Sequence, residues 1–140
     1  MKVKCISKQI LSDNKLLAEW AIHSELEITV NKEYTVFAIG KYLNALFYYI
    51  LGDESNSYPL SFPAQLFQII DSRVSKYWET NLVKINSWED LDIQDGDIIS
   101  FREWTVKGDS FYENLLNEQR SEVFLFNNYC DKILNEHISF

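Results

Sequence analysis

The alternation of apolar and polar side chains in the first half of the chain predicts short strands. Residues 26–30 alternate with the two-residue period of a half-buried strand. Residues 34–39 and 45–51 are rich in β-branched and aromatic side chains, and the turn-like residues 40–44 between them complete a predicted hairpin. Residues 2–8 alternate around several lysines, which is typical of an edge strand. We therefore expect a small antiparallel sheet.

A proline-containing segment after the hairpin predicts how this sheet bends. Pro63 suits the start of a tight helical turn, because its ring holds φ near the helical value. Residues 67–70 then have the composition of a strand. A Phe-Pro pair, one tight turn and a final strand resemble the closing segment of small SH3-like barrels, over residues 26–71 at most. Peptide-binding SH3 domains have a loop rich in acidic residues and paired tryptophans, and this segment has neither. The resemblance therefore implies the architecture alone.

Turn and helix signals divide the second half of the chain. Residues 82–85 are a predicted strand, and a turn at residues 95–97 leads into another strand over residues 98–101. Apolar residues then recur at three- and four-residue steps over residues 112–134, the period of an amphipathic helix. Residues 117–121 leave open whether this section forms one helix or two.

These elements predict an α+β fold in a single domain over residues 1–140. It consists of a small, bent antiparallel sheet with the form of an SH3-like barrel, a short helix over residues 15–22, and one or two C-terminal helices. Of the 140 residues, 46% are hydrophobic and 15% aromatic, so the chain is long and apolar enough to bury a core. With four glycines and two prolines it contains no linker-like segment.

The charge balance narrows the range of partners. The chain has 21 acidic and 13 basic residues, a net charge of -8. Such a surface repels the phosphates of nucleic acids and anionic lipid headgroups, so we expect neither nucleic acid nor a membrane as a partner. A basic protein is the partner that this field attracts. No stretch reaches the ~20 apolar residues of a membrane span, and no signal peptide follows Met1, so the expected location is the cytoplasm.

Residues that carry catalysis or hold metals form no recognisable motif. A calcium loop needs glycine at its sixth position and glutamate at its twelfth. In a loop that begins at Asp90, these positions hold Asp95 and Phe101, so the motif is not present. His23 and His137 have no partner pair at zinc spacing. Glycine-rich phosphate-binding motifs are missing too. We therefore expect no catalytic residue, no metal and no cofactor.

Aromatic and acidic residues provide the candidates for a binding surface. Most of the tryptophans and tyrosines are expected in the core, but the same residue types anchor protein interfaces where they are exposed. Trp88 lies within a run of acids, and Tyr58 adjoins a polar loop. The predicted partner-binding residues are Trp88, Glu89, Asp90, Asp92, Asp95, Asp97 and Tyr58.

Two stretches are similar to a group of small, uncharacterised bacterial proteins, some of which are immunity proteins of toxin systems. The first is YTVFAIGKYLNALFYYILGD running into YPLSFPAQLFQIIDSRVSKYW, and the second is FREWTVKGDSFYENLLN near the C-terminus. The resemblance implies a protein that binds and blocks a toxin. It defines no functional residues to carry over.

The leading hypothesis is a non-enzymatic protein-binding domain, an immunity-type protein that occludes a basic partner. One alternative is a small hydrolase that uses a carboxylate or Cys130 with a histidine, since such groups meet in space rather than in sequence. A second alternative is a structural subunit that self-associates through its aromatic residues. Cys5 and Cys130 are expected to be reduced thiols, with a disulfide between them left open.

Overall fold

The computed structural model describes residues 1–10, 13–24, 26–54, 57–86 and 91–136. Within these ranges the chain forms seven strands, four α-helices and one 3₁₀ turn. The strands are β1 (Lys2–Cys5), β2 (Glu33–Thr35), β3 (Ala38–Tyr42), β4 (Ala45–Ile50), β5 (Leu60–Pro63), β6 (Phe67–Asp71) and β7 (Ile98–Ile99). The helices are α1 (Lys15–Ile22), α2 (Arg102–Lys107), α3 (Asp109–Leu116) and α4 (Arg120–Asn135), and the 3₁₀ turn is Ala64–Leu66.

The strands of the described ranges form two antiparallel sheets. One has three strands in the order β2–β1–β6, and the other has four in the order β5–β4–β3–β7. Together with the helices, these sheets confirm the predicted α+β class. The described strands do not close into one barrel, so the SH3-like form is not confirmed.

The chain first changes sheets between β2 and β3. The N–H of Val36 donates to the carbonyl of Met1 at 3.1 Å, in the three-stranded sheet, whereas the N–H of Phe37 donates to the carbonyl of Tyr49 at 2.9 Å, in the four-stranded sheet. The expectation of one unbroken strand over residues 34–39 is therefore wrong, because consecutive backbone groups have partners in different sheets.

The chain changes sheets again at the proline-containing segment. Pro63, with φ of -57°, ends β5 and precedes the 3₁₀ turn, which leads directly into β6. The carbonyl of Leu66 accepts a hydrogen bond of 2.8 Å from the N–H of Ile6, just beyond the end of β1. The predicted tight turn is confirmed, and its effect is to carry the chain from one sheet to the other.

Strand β1 is central in its sheet, so the prediction of an edge strand is wrong. It pairs with β2 on one side and with β6 on the other. Val3 and Cys5 are fully buried, while Lys2 is exposed. The lysines mark the outer face of an alternating strand rather than an unpaired edge.

Strand β4 lies in the middle of the molecule. Its last four residues, from Phe47 to Ile50, are all buried, which shows that both faces of the strand are covered. On one face the ring of Tyr49 packs edge-on against Trp104 of α2 at 5.0 Å, and on the other the ring of Tyr48 packs against Phe67 of β6 at 5.8 Å. The core therefore has helices on one side of β4 and the second sheet on the other.

The predicted helical section over residues 112–134 forms two helices, α3 and α4, and a further helix that the sequence did not predict, α2, precedes them. Gly108, with φ of +59°, separates α2 from α3 in a conformation that glycine adopts without steric cost. Glu118, also with φ of +59°, separates α3 from α4, within residues 117–121 where the sequence indicated a break. The apolar period identified in the sequence begins at residue 112, so it covers neither α2 nor the break at Gly108.

Two other predicted strands do not form. In residues 26–30 the side chain of Ile28 is buried, but these residues form no strand. The N–H of Thr29, for example, donates its hydrogen bond to the hydroxyl of Tyr34 at 2.8 Å. Residues 82–85 contribute only an isolated bridge at Lys84. In residues 26–30 the alternation reflects burial of single side chains. Residues 82–85 make only a short contact with residues 72–74, in which the N–H of Val74 donates to the carbonyl of Val83 at 2.8 Å and the N–H of Ile85 donates to the carbonyl of Ser72 at 2.9 Å.

Candidate functional site

The predicted binding run lies only partly within the described residues. Trp88, Glu89 and Asp90 fall outside them. Asp92, Asp95 and Asp97 are all exposed, on the segment that leads into β7. We call residues 91–97 the acidic loop.

The acidic loop is hydrogen-bonded to the tip of the β3–β4 hairpin. The N–H of Gly96 donates to the carbonyl of Lys41 at 2.7 Å, and the N–H of Lys41 donates to the carbonyl of Asp97 at 3.3 Å. The N–H of Asn44 donates to Oδ2 of Asp95 at 3.3 Å. These bonds extend the β3–β7 pairing and hold the carboxylates at a defined place on the surface.

Tyr58 lies away from the acidic loop. The loop contacts the start of β4, whereas Tyr58 precedes β5 by two residues, and the first residue of β5, Leu60, pairs with Ile50 at the end of β4. Five strand steps separate those two ends, or roughly 17 Å at the usual rise per residue. The described part of the predicted site is therefore divided between two regions.

A cavity of about 470 Å³ opens beside the acidic loop. Its wall is formed by the start of α1, the tip of the β3–β4 hairpin, the 3₁₀ turn and the first residues of the acidic loop. Leu46, Leu91 and Ile93 supply apolar surface, and Lys41 supplies a cation. We call this space the loop cavity.

Lys41 is half-buried in the wall of the loop cavity. Its Nζ donates to the backbone carbonyl of Ile93 at 3.4 Å, a long hydrogen bond. Among the described residues, no carboxylate lies within 4.0 Å of this ammonium group. The side chains of Asn44 and Gln65 line the same space. The cavity thus combines apolar surface, an ammonium group and amides.

A second cavity, of about 640 Å³, lies between Tyr58 and the helices α3 and α4. Phe124 borders it and is 70% exposed. Glu118 and Arg120, at the junction of the helices, add one charge of each sign. We call this space the helix groove. Sequence reasoning missed Phe124, although a phenylalanine on the polar face of an amphipathic helix is a signal that could have drawn attention to it.

Most of the described tryptophans are in the core. Trp78 is 5% exposed and Trp104 is completely buried. Trp20 is half-buried, with its ring edge-on to Phe47 at 5.4 Å. These three rings pack against the protein itself, as expected for most of the aromatic residues.

The thiols have the properties of packed side chains. Both cysteines are free, with Cys5 buried and Cys130 half-buried. Burial raises the pKa of Cys5 and raises the pKa of Cys130 to about 11. A nucleophilic cysteine needs the opposite shift, toward the thiolate. His23 is exposed at the end of α1, and His137 lies outside the described residues.

The described residues contain no cluster of three or more His, Cys, Asp or Glu side chains placed to hold a metal ion. Over the same ranges, none of the helices combines the length and the apolar character needed to cross a membrane. Comparison of the chain with protein-family models, with curated proteins and with solved structures gave no match in any of the three. Support for a function therefore comes from the geometry of this chain.

Proposed function

We propose that this protein is a non-enzymatic binding domain that occludes a basic protein partner, in the manner of a bacterial immunity protein. The observation that carries the proposal is the acidic loop, where Asp92, Asp95 and Asp97 are exposed on a backbone tied to the β3–β4 hairpin. Its cytoplasmic location is part of the same proposal.

Two physical effects favour binding at this loop. Because hydrogen bonds already hold the loop, a partner does not have to order it, and less conformational entropy is lost on association. The net charge of -8 attracts a basic partner over a distance and raises the association rate at low ionic strength.

The hydrolase alternative receives less support. The raised pKa of Cys130 keeps its thiol protonated near neutral pH. His23 is exposed at the end of α1, in a position without the enclosure that a catalytic base requires.

Self-association is a second candidate function, favoured by the helix groove. Phe124 presents most of its ring to solvent beside Tyr58. Glu118 and Arg120 give the groove a balanced charge, so two acidic molecules meet there with little local repulsion. Sedimentation of the wild type and of Phe124→Ser across protein concentrations tests this candidate. A wild type that remains monomeric at all concentrations would contradict it.

The test of the main proposal is affinity capture from the lysate of the native host, with three forms of the protein as bait. Asp92→Lys reverses a charge in the acidic loop at a residue with no described hydrogen bond or ion pair. Asp131→Lys makes the same change on the exposed face of α4 and serves as the matched control. We expect one stoichiometric basic protein to be retained by the wild type and by the control, and lost by Asp92→Lys and at raised salt.

Other outcomes contradict the proposal in distinct ways. Equal retention by Asp92→Lys and by the wild type would show that the partner binds elsewhere. Absence of a retained protein at low salt, with all three baits folded, would count against the binding function itself.

A further inference from the structure

We propose that the loop cavity is a binding site for a small organic monocarboxylate with an apolar body, whose carboxylate pairs with Lys41. This inference does not rest on the proposed function, because it concerns the interior of the cavity and needs no protein partner. Its first support is the ammonium group of Lys41 in the cavity wall.

Lys41 is a cation without a counter-ion in the described structure. It is half-buried, its single described side-chain hydrogen bond is 3.4 Å long, and no described carboxylate lies within 4.0 Å. By contrast Lys32, which is more exposed to solvent, pairs with Asp53 at 2.7 Å. A charged group partly removed from water is stabilised by an opposite charge, and a bound carboxylate supplies one.

Other groups around the cavity also favour an anion. The amide side chains of Asn44 and Gln65 are hydrogen-bond donors. Helix α1 begins at the cavity, where its N-cap Asn14 forms part of the wall. Oδ1 of Asn14 accepts from the N–H of Leu17 at 3.2 Å, and the other N–H groups at the start of a helix lack partners within it and carry a partial positive charge. Lys41 is the main anchor, and these groups add to it.

The size and the remaining lining select the rest of the ligand. Leu46, Leu91 and Ile93, all half-buried, offer apolar surface for a hydrocarbon body. A volume of about 470 Å³ lies within the range typical of small-molecule sites. A short aliphatic or aromatic acid satisfies both the cation and the apolar wall.

The carboxylates of the acidic loop, close in the chain to the lining residues Leu91 and Ile93, limit the charge of the ligand to one. Asp92 and Asp95 repel anions, and their effect grows with the charge of the ligand. The negative charge of Asp95 is partly offset, because its carboxylate accepts a hydrogen bond from the backbone N–H of Asn44. A phosphate group with two negative charges is therefore disfavoured relative to a monocarboxylate.

The test is a titration of the isotope-labelled protein followed by NMR, with hexanoate, hexanamide and hexylamine as probes of equal length. We expect hexanoate to shift the amide signals of residues 41–46 and 91–93 in a saturable manner. Hexanamide and hexylamine are expected to bind at least about tenfold more weakly, because neither can form the charge-assisted hydrogen bond with Lys41.

Variants assign the effect to one side chain. Lys41→Met is expected to weaken hexanoate binding about tenfold or more and to leave hexanamide unchanged. Lys41→Arg restores part of the binding, and Lys107→Met, at an exposed position of α2, leaves it intact.

The contrast between hexanoate and hexanamide on the wild type needs no variant, so it holds even if Lys41→Met fails to fold. Equal shifts with the two probes, or no saturable shift with hexanoate, would overturn the inference. Neither result bears on the capture of a protein partner by the acidic loop.

Discussion

The two ends of strand β4 differ in packing, although they are only a few residues apart. Ala45 and Leu46 are half-buried and border the loop cavity, whereas the four residues from Phe47 to Ile50 are fully enclosed. One strand can therefore serve both as the centre of a rigid core and as the wall of an open site. The buried end of β4 fixes the position of the hairpin, and the half-buried end forms part of the wall of the loop cavity.

Aromatic rings account for the density of the closed end. Trp104 stacks on Tyr112 with the ring planes 4° apart and a centroid distance of 5.7 Å, and it meets Tyr49 edge-on at 5.0 Å. Phe111 adds a third contact with Trp104, at 5.6 Å. Such pairs add to the free energy gained from burial alone.

The largest expected effect is therefore at Trp104. Replacing it with alanine removes a completely buried ring and leaves a cavity, which should lower the free energy of unfolding by about 3–5 kcal/mol, measured by urea denaturation. Trp104→Phe is the control, because it keeps an aromatic ring and removes an indole N–H that has no hydrogen-bond partner among the described residues. Equal losses in the two variants would contradict the role assigned to ring packing.

Gly40, in β3, tests how tightly the sheet is packed beside β4. A Cβ at this position would lie 2.8 Å from Cε2 of Tyr42 and 2.9 Å from Cδ1 of Ile98. Gly40→Ala should cost about 1–3 kcal/mol of stability through overpacking, as seen by thermal or urea unfolding. In the double variant with Ile98→Val, which removes Cδ1, the loss should be smaller than the sum of the two single losses. Strict additivity would show that Ile98 is not the obstacle.

Leu46 tests the open end of β4. Its side chain already borders the loop cavity, so truncation to alanine removes fewer contacts than in a closed core. We expect Leu46→Ala to lower the free energy of unfolding by about 1 kcal/mol, below the 2–5 kcal/mol usual for a buried leucine. A loss as large as that of Trp104→Ala would remove the distinction between the two ends. The same variant should weaken hexanoate binding if the apolar wall is used.

The smallest effect concerns pH dependence just beyond the closed end of β4. Burial by itself would raise the pKa of Asp53, but hydrogen bonds from Lys32, Thr29 and Tyr34 together lower it to about 2. Because the folded pKa is below the unfolded value of 3.8, the bonds stabilise the fold above that value. The stabilisation should be lost as the pH falls from about 4 toward 2.

Unfolding by urea at several pH values, compared between the wild type and Asp53→Asn, measures this contribution. The difference in stability between the two proteins should shrink as the pH falls, since the variant cannot titrate at this position. A difference that is constant with pH would show that the Asp53 hydrogen bonds do not depend on its charge.

Features with strong local signals could be predicted from the sequence. Helix α1 spans residues 15–22, the range expected from the sequence, and the tight turn after Pro63 follows from the fixed φ of proline. The hairpin of β3 and β4 also forms, but its turn is shorter than expected, with only Leu43 and Asn44 at positive φ. These elements depend on residues close together in the chain.

Features that depend on distant residues could not be predicted. The change of sheet at Val36 and Phe37 requires Met1 and Tyr49 as separate partners, and a local pattern does not contain that information. Helix α2 was not predicted either, because it has six residues of which Trp104 is the buried one, and so short a helix shows no clear apolar period.

The candidate sites divide in the same way. The sequence identifies Asp92, Asp95 and Asp97 as acids in a turn, and the structure finds them exposed. Lys41 lies within residues 40–44, which the sequence indicates only as a turn. Lys41 and Gln65 line the same cavity only after folding, because Lys41 lies in β3 and Gln65 lies in the 3₁₀ turn.

By itself, the sequence determined the α+β class, the acidic character, helix α1 and the Pro63 turn, since these follow from composition and from spacing over a few residues. The tertiary structure alone decided the two separate sheets, the closed and open ends of β4, and the cavity that places Lys41 away from any described carboxylate. The physical reason is that burial and charge pairing depend on distances between elements, and those distances are set only when the elements pack together.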